Sequence, residues 1–323
     1  MRKKIVFMLM IMIVIILGGC ICSESSNEFE KKANQTVSIV QENSNAGVDN
    51  GKQCSLNNVS LINENTLLPE TFPILINEFS YGPEGPLFLV DETMKESMKN
   101  ELLRYLKLVY NNAKIEENSF KSDADREFEV YFEKDGTIFR SFMNGLSVLS
   151  KDTSSFKNYS EETILENSFI EAAVAFLELD NLKVSIVTEY GSDRSPYSCT
   201  YRIYEGDDDL LQDIMNKCFT YIEFTQYRDS DYIVAKIINR KTPKEYDNRP
   251  ILSYESALAY LNNLYPDTGK RDVKAEVFYS TAVQPGYFMP CYRFYIDTGE
   301  TDTDGSPIYS VVSILLIDKS IDN

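Results

Sequence analysis

The chain has 323 residues, of which 32 are Lys or Arg and 50 are Asp or Glu, so its net charge is −18. It contains no His, which excludes Ser-His-Asp triads, Cys-His pairs and His-ligated zinc or haem sites. The excess of acid argues against nucleic acid and anionic lipid surfaces as partners. With 43% hydrophobic and 25% charged residues, the composition is that of a globular protein.

The first twenty residues have the pattern of a secretory signal. Basic residues at positions 2–4 precede an uninterrupted apolar run at 5–17, and small residues follow that run. As a helix the run would span roughly 20 Å, which is less than the ~30 Å hydrocarbon core of a bilayer. The alternative, an uncleaved signal anchor, must extend the run to Cys22 and still falls short of the usual length.

The four residues Leu17, Gly18, Gly19 and Cys20 resemble the bacterial lipobox. In that motif the cysteine thiol forms a thioether to diacylglycerol, and the small residues before it give a peptidase access to the backbone. The resemblance implies a signal peptide over 1–19 and lipid attachment at Cys20. It also implies an extracytoplasmic location at the cell membrane, with acyl chains as the anchor.

Residues 20–66 are predicted to be the lipidated cysteine and a disordered tether. This stretch is rich in Ser, Asn, Glu, Gln and Lys and has no periodic pattern of large apolar residues. The globular part follows it. We predict an α+β region with two repeated units at 67–250 and a third, C-terminal unit at 251–323.

Three helices are predicted, each beginning at an N-cap residue that a Glu follows in the first turn. They run from Asp91 to about 112, from Ser160 to about 179 and from Ser253 to about 264, and a shorter helix is expected at 208–217. Apolar and polar residues alternate in strand-like stretches after each helix, at 127–133, 137–143, 183–190, 199–205, 273–280, 291–297 and 308–317. Strands are also predicted before each helix, at 86–90, 146–150 and 232–240.

This order of elements predicts an α+β fold of repeated β-α-β-β units, with antiparallel sheets each covered by a helix. A short repeat favours duplication: YRIY at 201–204 and YRFY at 292–295 occupy corresponding strands. Asp135 and Gly136 predict a tight hairpin between two of the strands.

The C-terminal unit, at 251–317, carries a resemblance to a known family. Residues 251–258 (ILSYESAL) open a helix, a strand is expected at 273–280, and residues 289–295 (MPCYRFY) form the next strand before a hairpin back through 308–317. This arrangement resembles the PepSY-like and YycI-like extracytoplasmic domains of Gram-positive two-component regulatory proteins. The resemblance implies an inhibitory or interaction module without catalytic residues or cofactors. YycI-type proteins carry an uncleaved membrane helix, whereas this chain has a lipobox.

Two kinds of candidate site remain. The sparse cysteines Cys199, Cys218 and Cys291 are interpreted as small buried hydrophobes, with a bridge between the first two as an alternative. Glu300, Asp302 and Asp304 have the spacing of the first calcium ligands of an EF-hand loop, but Val311 stands where a bidentate Glu is required. We therefore predict an acidic hairpin tip rather than a metal site.

The sequence favours a membrane-anchored lipoprotein that acts as a non-catalytic binding or regulatory module. Its expected partners are the membrane, through the lipid, and another envelope protein, a peptide or an envelope component. Two alternatives stay open: a solute-binding lipoprotein of an importer, and a cell-envelope hydrolase that uses paired carboxylates.

Overall fold

The computed structural model describes residues 39–40, 52–78, 81–82, 85–86, 91–111, 115, 120–123, 126–142, 145–151, 160–191, 193–228, 230, 232–240, 243–281 and 286–317. The predicted signal peptide, Leu17, Gly18, Gly19, Cys20 and most of the predicted tether lie outside these residues.

The described chain contains seventeen β-strands, five α-helices and a 3-10 helix at Pro266–Lys270. The strands are β1 (Ile39–Val40), β2 (Gln53–Asn57), β3 (Thr71–Ile76), β4 (Tyr81–Gly82), β5 (Gly85–Pro86), β6 (Lys121–Asp123), β7 (Arg126–Lys134), β8 (Thr137–Phe142), β9 (Gly145–Lys151), β10 (Leu182–Tyr190), β11 (Pro196–Glu205), β12 (Thr220–Tyr227), β13 (Tyr232–Asn239), β14 (Glu245–Pro250), β15 (Val273–Ser280), β16 (Tyr287–Thr301) and β17 (Pro307–Leu315). The helices are α1 (Glu92–Val109), α2 (Glu161–Leu165), α3 (Ser168–Leu177), α4 (Leu210–Phe219) and α5 (Tyr254–Leu264).

The dominant feature is one antiparallel sheet of 15 strands. Its strand order is β14-β3-β16-β17-β2-β10-β11-β12-β13-β9-β8-β7-β6, with β15 also paired to β16 and β1 to β17. Two four-stranded meanders, β6 to β9 and β10 to β13, meet where β9 pairs with β13. The strands β4 and β5 pair separately with each other.

The prediction of an α+β fold of repeated β-α-β-β units, each with its own sheet, is wrong. The described chain is mostly antiparallel β-sheet with few helices. The edges expected between units are instead paired, β9 with β13 and β10 with β2, which leaves fewer exposed backbone groups than separate sheets would. Helices α1 and α3 also share one hydrophobic core instead of covering one sheet each.

The predicted helix starts are confirmed, because each depends on a local hydrogen bond. The side chains of Asp91, Ser160 and Ser253 accept hydrogen bonds from backbone amides three residues later, at 2.8, 3.2 and 3.2 Å. The second predicted helix is interrupted, because the side chain of Asn167 accepts from the Phe169 amide at 3.0 Å and begins a new helix. The predicted hairpin at Asp135 and Gly136 is also present, and both residues have the positive φ that such a turn requires.

The two largest hydrophobic cores among the described residues pack helices against the sheet. The first packs α1, α2 and α3 against one face of strands β7 to β13, with Tyr105, Phe139 and Phe176 at its centre. The second packs α4 and α5 against β3 and β15 to β17. Each helix therefore uses its apolar face to cover sheet.

Strand β2 lies within the range predicted to be tether. It occupies a central position in the sheet, between β17 and β10, and its Cys54 side chain is buried. Ile62, further along the same stretch, is buried in the second core. Residues 53–62 are therefore part of the folded protein, although their polar neighbours give no periodic pattern.

Candidate functional site

A buried cluster of charges joins α4 to the strands β15 and β16. Glu276 accepts hydrogen bonds from the Lys217 ammonium, from Arg293 at 3.3 Å and from the Tyr295 hydroxyl at 2.5 Å. The Lys217 and Glu276 side chains are only 7% and 4% exposed. We call these four residues the Glu276 cluster. Since Glu276 and Arg293 are directly opposite in the β15–β16 pair, the register of the sheet creates the cluster.

Burial and charge act in opposite directions on the Glu276 carboxyl. Burial raises its pKa, but the nearby cations Lys217 and Arg293 outweigh that effect and lower the pKa to about 2. Burial, followed by the Glu276 charge, raises the pKa of Tyr295 well above its ordinary value. The carboxylate is therefore ionised and the tyrosine is neutral throughout the physiological range.

A second charged row crosses the middle of the sheet. Arg202, Glu223 and Lys236 stand in direct register on β11, β12 and β13. The Glu223 carboxylate accepts from Arg202 at 2.8 Å and from Lys236 at 3.1 Å. Burial raises the pKa of Glu223, but Lys236 and Arg202 lower it to about 2. We call these residues the Glu223 row, and each of its charges has an opposite charge in contact.

Neither set of charges has the properties of a catalytic carboxylate pair. A general acid needs a pKa raised towards neutrality, whereas both glutamates have lowered values. Each glutamate is also bound by two cations and not by a second carboxyl group. The Glu276 cluster joins α4 to β15 and β16, and the Glu223 row joins β11, β12 and β13.

The four cysteines that the structure describes are free thiols, and three of them are buried. Cys199 and Cys291 are buried, as predicted. Cys54 is buried as well, and burial raises its pKa to about 12. The alternative bridge does not form, because Cys199 and Cys218 are both free thiols. Cys218 lies on α4 and is only partly buried, in contrast to the prediction.

The acidic tip predicted between two strands is present between β16 and β17. The carboxylate of Asp302 accepts the Tyr190 hydroxyl at 2.6 Å and the amides of Asp304 and Ser306 at 2.9 and 2.8 Å. Glu300 is paired with Arg194 at 2.7 Å. Among the residues that the structure describes, no group of three or more metal-ligating side chains converges on a point.

We expect calcium to give no saturable heat when it is titrated into the protein at up to about 1 mM, where extracellular calcium modules bind. Both oxygens of Asp302 already accept hydrogen bonds, and Glu300 has its own cation, so a calcium ion would have to displace these contacts. Isothermal titration calorimetry measures this directly. A saturable signal that Asp302→Asn removes would contradict the expectation.

An open groove of about 550 Å³ lies beside α3, on the side of α2 and the start of β10. Aliphatic side chains line it, among them Leu165, Leu179 and Leu182. The other side chains that line it include the carboxylates of Glu171, Glu178 and Asp180, all exposed, and no basic residue. We call it the acidic groove. It combines apolar surface with negative charge, which suits binding.

Sequence reasoning missed the Glu276 cluster, the Glu223 row and the acidic groove. One signal was available, since Arg202, Glu223 and Lys236 each stand at a polar position within an alternating strand. Their proximity depends on which strands pair and in which register, and that information is not local. The carboxylates of the groove come from one stretch at 171–180, but its concave shape follows from how α2, α3 and β10 pack.

Comparison with known proteins gives little further information. No model of a known protein family matches the chain, and no curated protein does so at a significant level. The chain is similar to a solved structure, an uncharacterized protein from Eubacterium rectale ATCC 33656, with a TM-score of 0.36 and 8% identity. That alignment covers 77% of this chain and 85% of the other. Within the described chain, no helix has both the length and the apolar character needed to span a bilayer.

Proposed function

We propose that this protein is a lipid-anchored extracytoplasmic protein of the cell membrane that binds a protein, a peptide or an envelope component and does not catalyse a reaction. The observation that carries the proposal is the acidic groove, which is open to solvent and joins apolar surface to three exposed carboxylates. Binding of a partner uses such a surface without any reacting group.

The electrostatics of the buried glutamates favour binding over the hydrolase alternative. Glycoside chemistry needs one carboxylic acid that holds its proton near neutral pH beside a second carboxylate. Glu223 and Glu276 have lowered pKa values, and each is enclosed by cations. These glutamates stabilise the fold in our proposal.

The topology weighs against the importer alternative. Solute-binding folds of that kind alternate strands and helices to build parallel sheets around a hinge. Every strand pair within the described residues is antiparallel, and most connections between neighbouring strands are hairpins. The proposal therefore takes a protein or peptide, and not a small transported solute, as the first class of ligand to test.

The anchoring and regulatory parts of the proposal rest on the sequence. Leu17, Gly18, Gly19 and Cys20 supply the lipobox-like motif at the end of an apolar run. Residues 251–317 carry the PepSY-like and YycI-like resemblance, and there α5 is followed by β15, β16 and β17. Modulation of a protease or a sensor beside the membrane is the role that this resemblance implies.

The test is the intact mass and membrane partitioning of the protein expressed in a Gram-positive host, beside a Cys20→Ala variant. We expect the wild type to lose residues 1–19, to gain a diacylglycerol mass and to fractionate with membranes, whereas the variant leaves them. A full-length chain that stays uncleaved and membrane-bound in both forms would contradict lipid attachment and indicate a signal anchor.

A further inference from the structure

The acidic groove lies at a helix end whose charges are locally unfavourable. The carbonyl end of α3 carries partial negative charge, and the last turn of this helix contains no basic residue. Glu178 and Asp180 nevertheless follow it directly and line the groove. Arg104 of α1 donates to the Phe176 carbonyl at 3.1 Å, but Arg104 is not among the residues that line the groove.

The backbone at the same place is also unfavourable for the residue present. Glu178 ends α3 with φ 57° and ψ 41°, the left-handed conformation that is usually occupied by glycine where it ends a helix. A glutamate there bears the steric strain of a Cβ atom, which glycine lacks, and it places a negative charge against the negative end of the helix. A cation docked in the groove would compensate for this charge.

From this geometry we infer that the acidic groove docks a basic amphipathic helix of an envelope partner protein. The aliphatic side chains of the partner would pack against the partly exposed Leu165, Val174 and Leu182, and its Lys or Arg side chains would face Glu171, Glu178 and Asp180. Charge complementarity selects this occupant, because the groove offers carboxylates and no cation. The inference rests on the proposed binding function and names the chemistry of its partner.

The test uses the full-length protein in phosphatidylcholine nanodiscs and a fluorescein-labelled amphipathic peptide of Leu and Lys, about 14 residues or four turns long. Fluorescence anisotropy measures the dissociation constant, and empty nanodiscs provide the blank. We expect saturable binding of this peptide and none of a matched peptide in which Glu replaces Lys.

Two groove variants and a matched control separate the specific site from the general negative charge. Glu178→Lys with Asp180→Lys is expected to weaken peptide binding at least about tenfold, since it removes facing charges. Ala175→Arg, at an exposed position in the groove, is expected to weaken it by covering the apolar surface and repelling the Lys side chains of the peptide. The control, Glu70→Lys with Asp208→Lys, makes the same change in net charge at exposed positions elsewhere.

Lysine near the carbonyl end of a helix is favourable, so the groove variant is expected to fold, and a thermal melt checks this. The inference is overturned if the Leu–Lys peptide does not bind, if the Leu–Glu peptide binds equally well, or if the groove and control variants weaken binding to the same extent. None of these results depends on how the N-terminus is processed, so a failure here is distinct from a failure of lipid attachment.

Discussion

Glu276→Gln is expected to lower the free energy of unfolding by about 3–5 kcal/mol, because it leaves two cations in the Glu276 cluster without their carboxylate. The Lys217 side chain is 7% exposed, so water cannot solvate its unpaired ammonium without disturbing the packing of α4 against β15. At roughly 2–4 °C for each kcal/mol, the melting temperature should fall by roughly 6–20 °C. Urea unfolding followed by circular dichroism measures the free energy.

A double-mutant cycle isolates the contact between Lys217 and Glu276. The second single variant is Lys217→Met, which removes the ammonium but keeps a long apolar side chain. We expect the double variant to be less destabilised than the sum of the single variants, because neither Lys217 nor Glu276 is then left as a buried charge without the other. Glu70→Gln, at an exposed position, serves as the control and should stay within about 0.5 kcal/mol of the wild type. Equal stability of Glu276→Gln and this control would contradict the role given to the cluster.

The protein is expected to lose stability as the pH falls from about 4.5 towards 2. In the folded state the pKa values of Glu223 and Glu276 are lowered to about 2, whereas an unfolded glutamate has an ordinary value near 4.5. The unfolded chain therefore takes up protons first, so acid favours unfolding. Above about pH 5 both states are ionised at these positions, and their contribution is constant.

The slope of stability against pH reports the number of protons taken up. Each proton contributes about 1.4 kcal/mol per pH unit, so Glu223→Gln should give a slope shallower by up to that amount between pH 4.5 and 2. Urea unfolding at a series of pH values measures both slopes, with Glu70→Gln as the reference. If the Glu223→Gln and wild-type curves run parallel, Glu223 does not have the lowered pKa on which this expectation depends.

Local features of the fold could be predicted from the sequence, whereas the assembly of the sheet could not. The N-caps Asp91, Ser160 and Ser253 act on amides three residues away, and the turn at Asp135 and Gly136 depends on two residues. The pairing of β9 with β13 joins residues about 80 to 90 positions apart and has no signature in either strand. The Glu223 row could not be predicted for the same reason, because the sequence does not show the register in which β11, β12 and β13 pair.

The candidate sites show the same division. The acidic tip at Glu300, Asp302 and Asp304 was visible because the residues adjoin in sequence, and its contact with Tyr190 was not visible because it joins different hairpins. Strand β2 was not predicted either, because its pairing partners lie far away in the sequence. Five residues among polar neighbours become a central strand only because β10 and β17 offer open edges on both sides.

The position of β2 also sets the order in which the molecule can fold. Cys54 stands opposite Tyr309, a partner about 250 residues later in the chain, and the other neighbour of β2 begins at Leu182. A ribosome therefore releases the middle strand of this sheet long before it releases the last strand that flanks it. Contacts between such distant segments form slowly, and β2 keeps an unpaired edge until β17 has been synthesised. A nascent chain of this kind stays incompletely folded until both neighbours of β2 have been made.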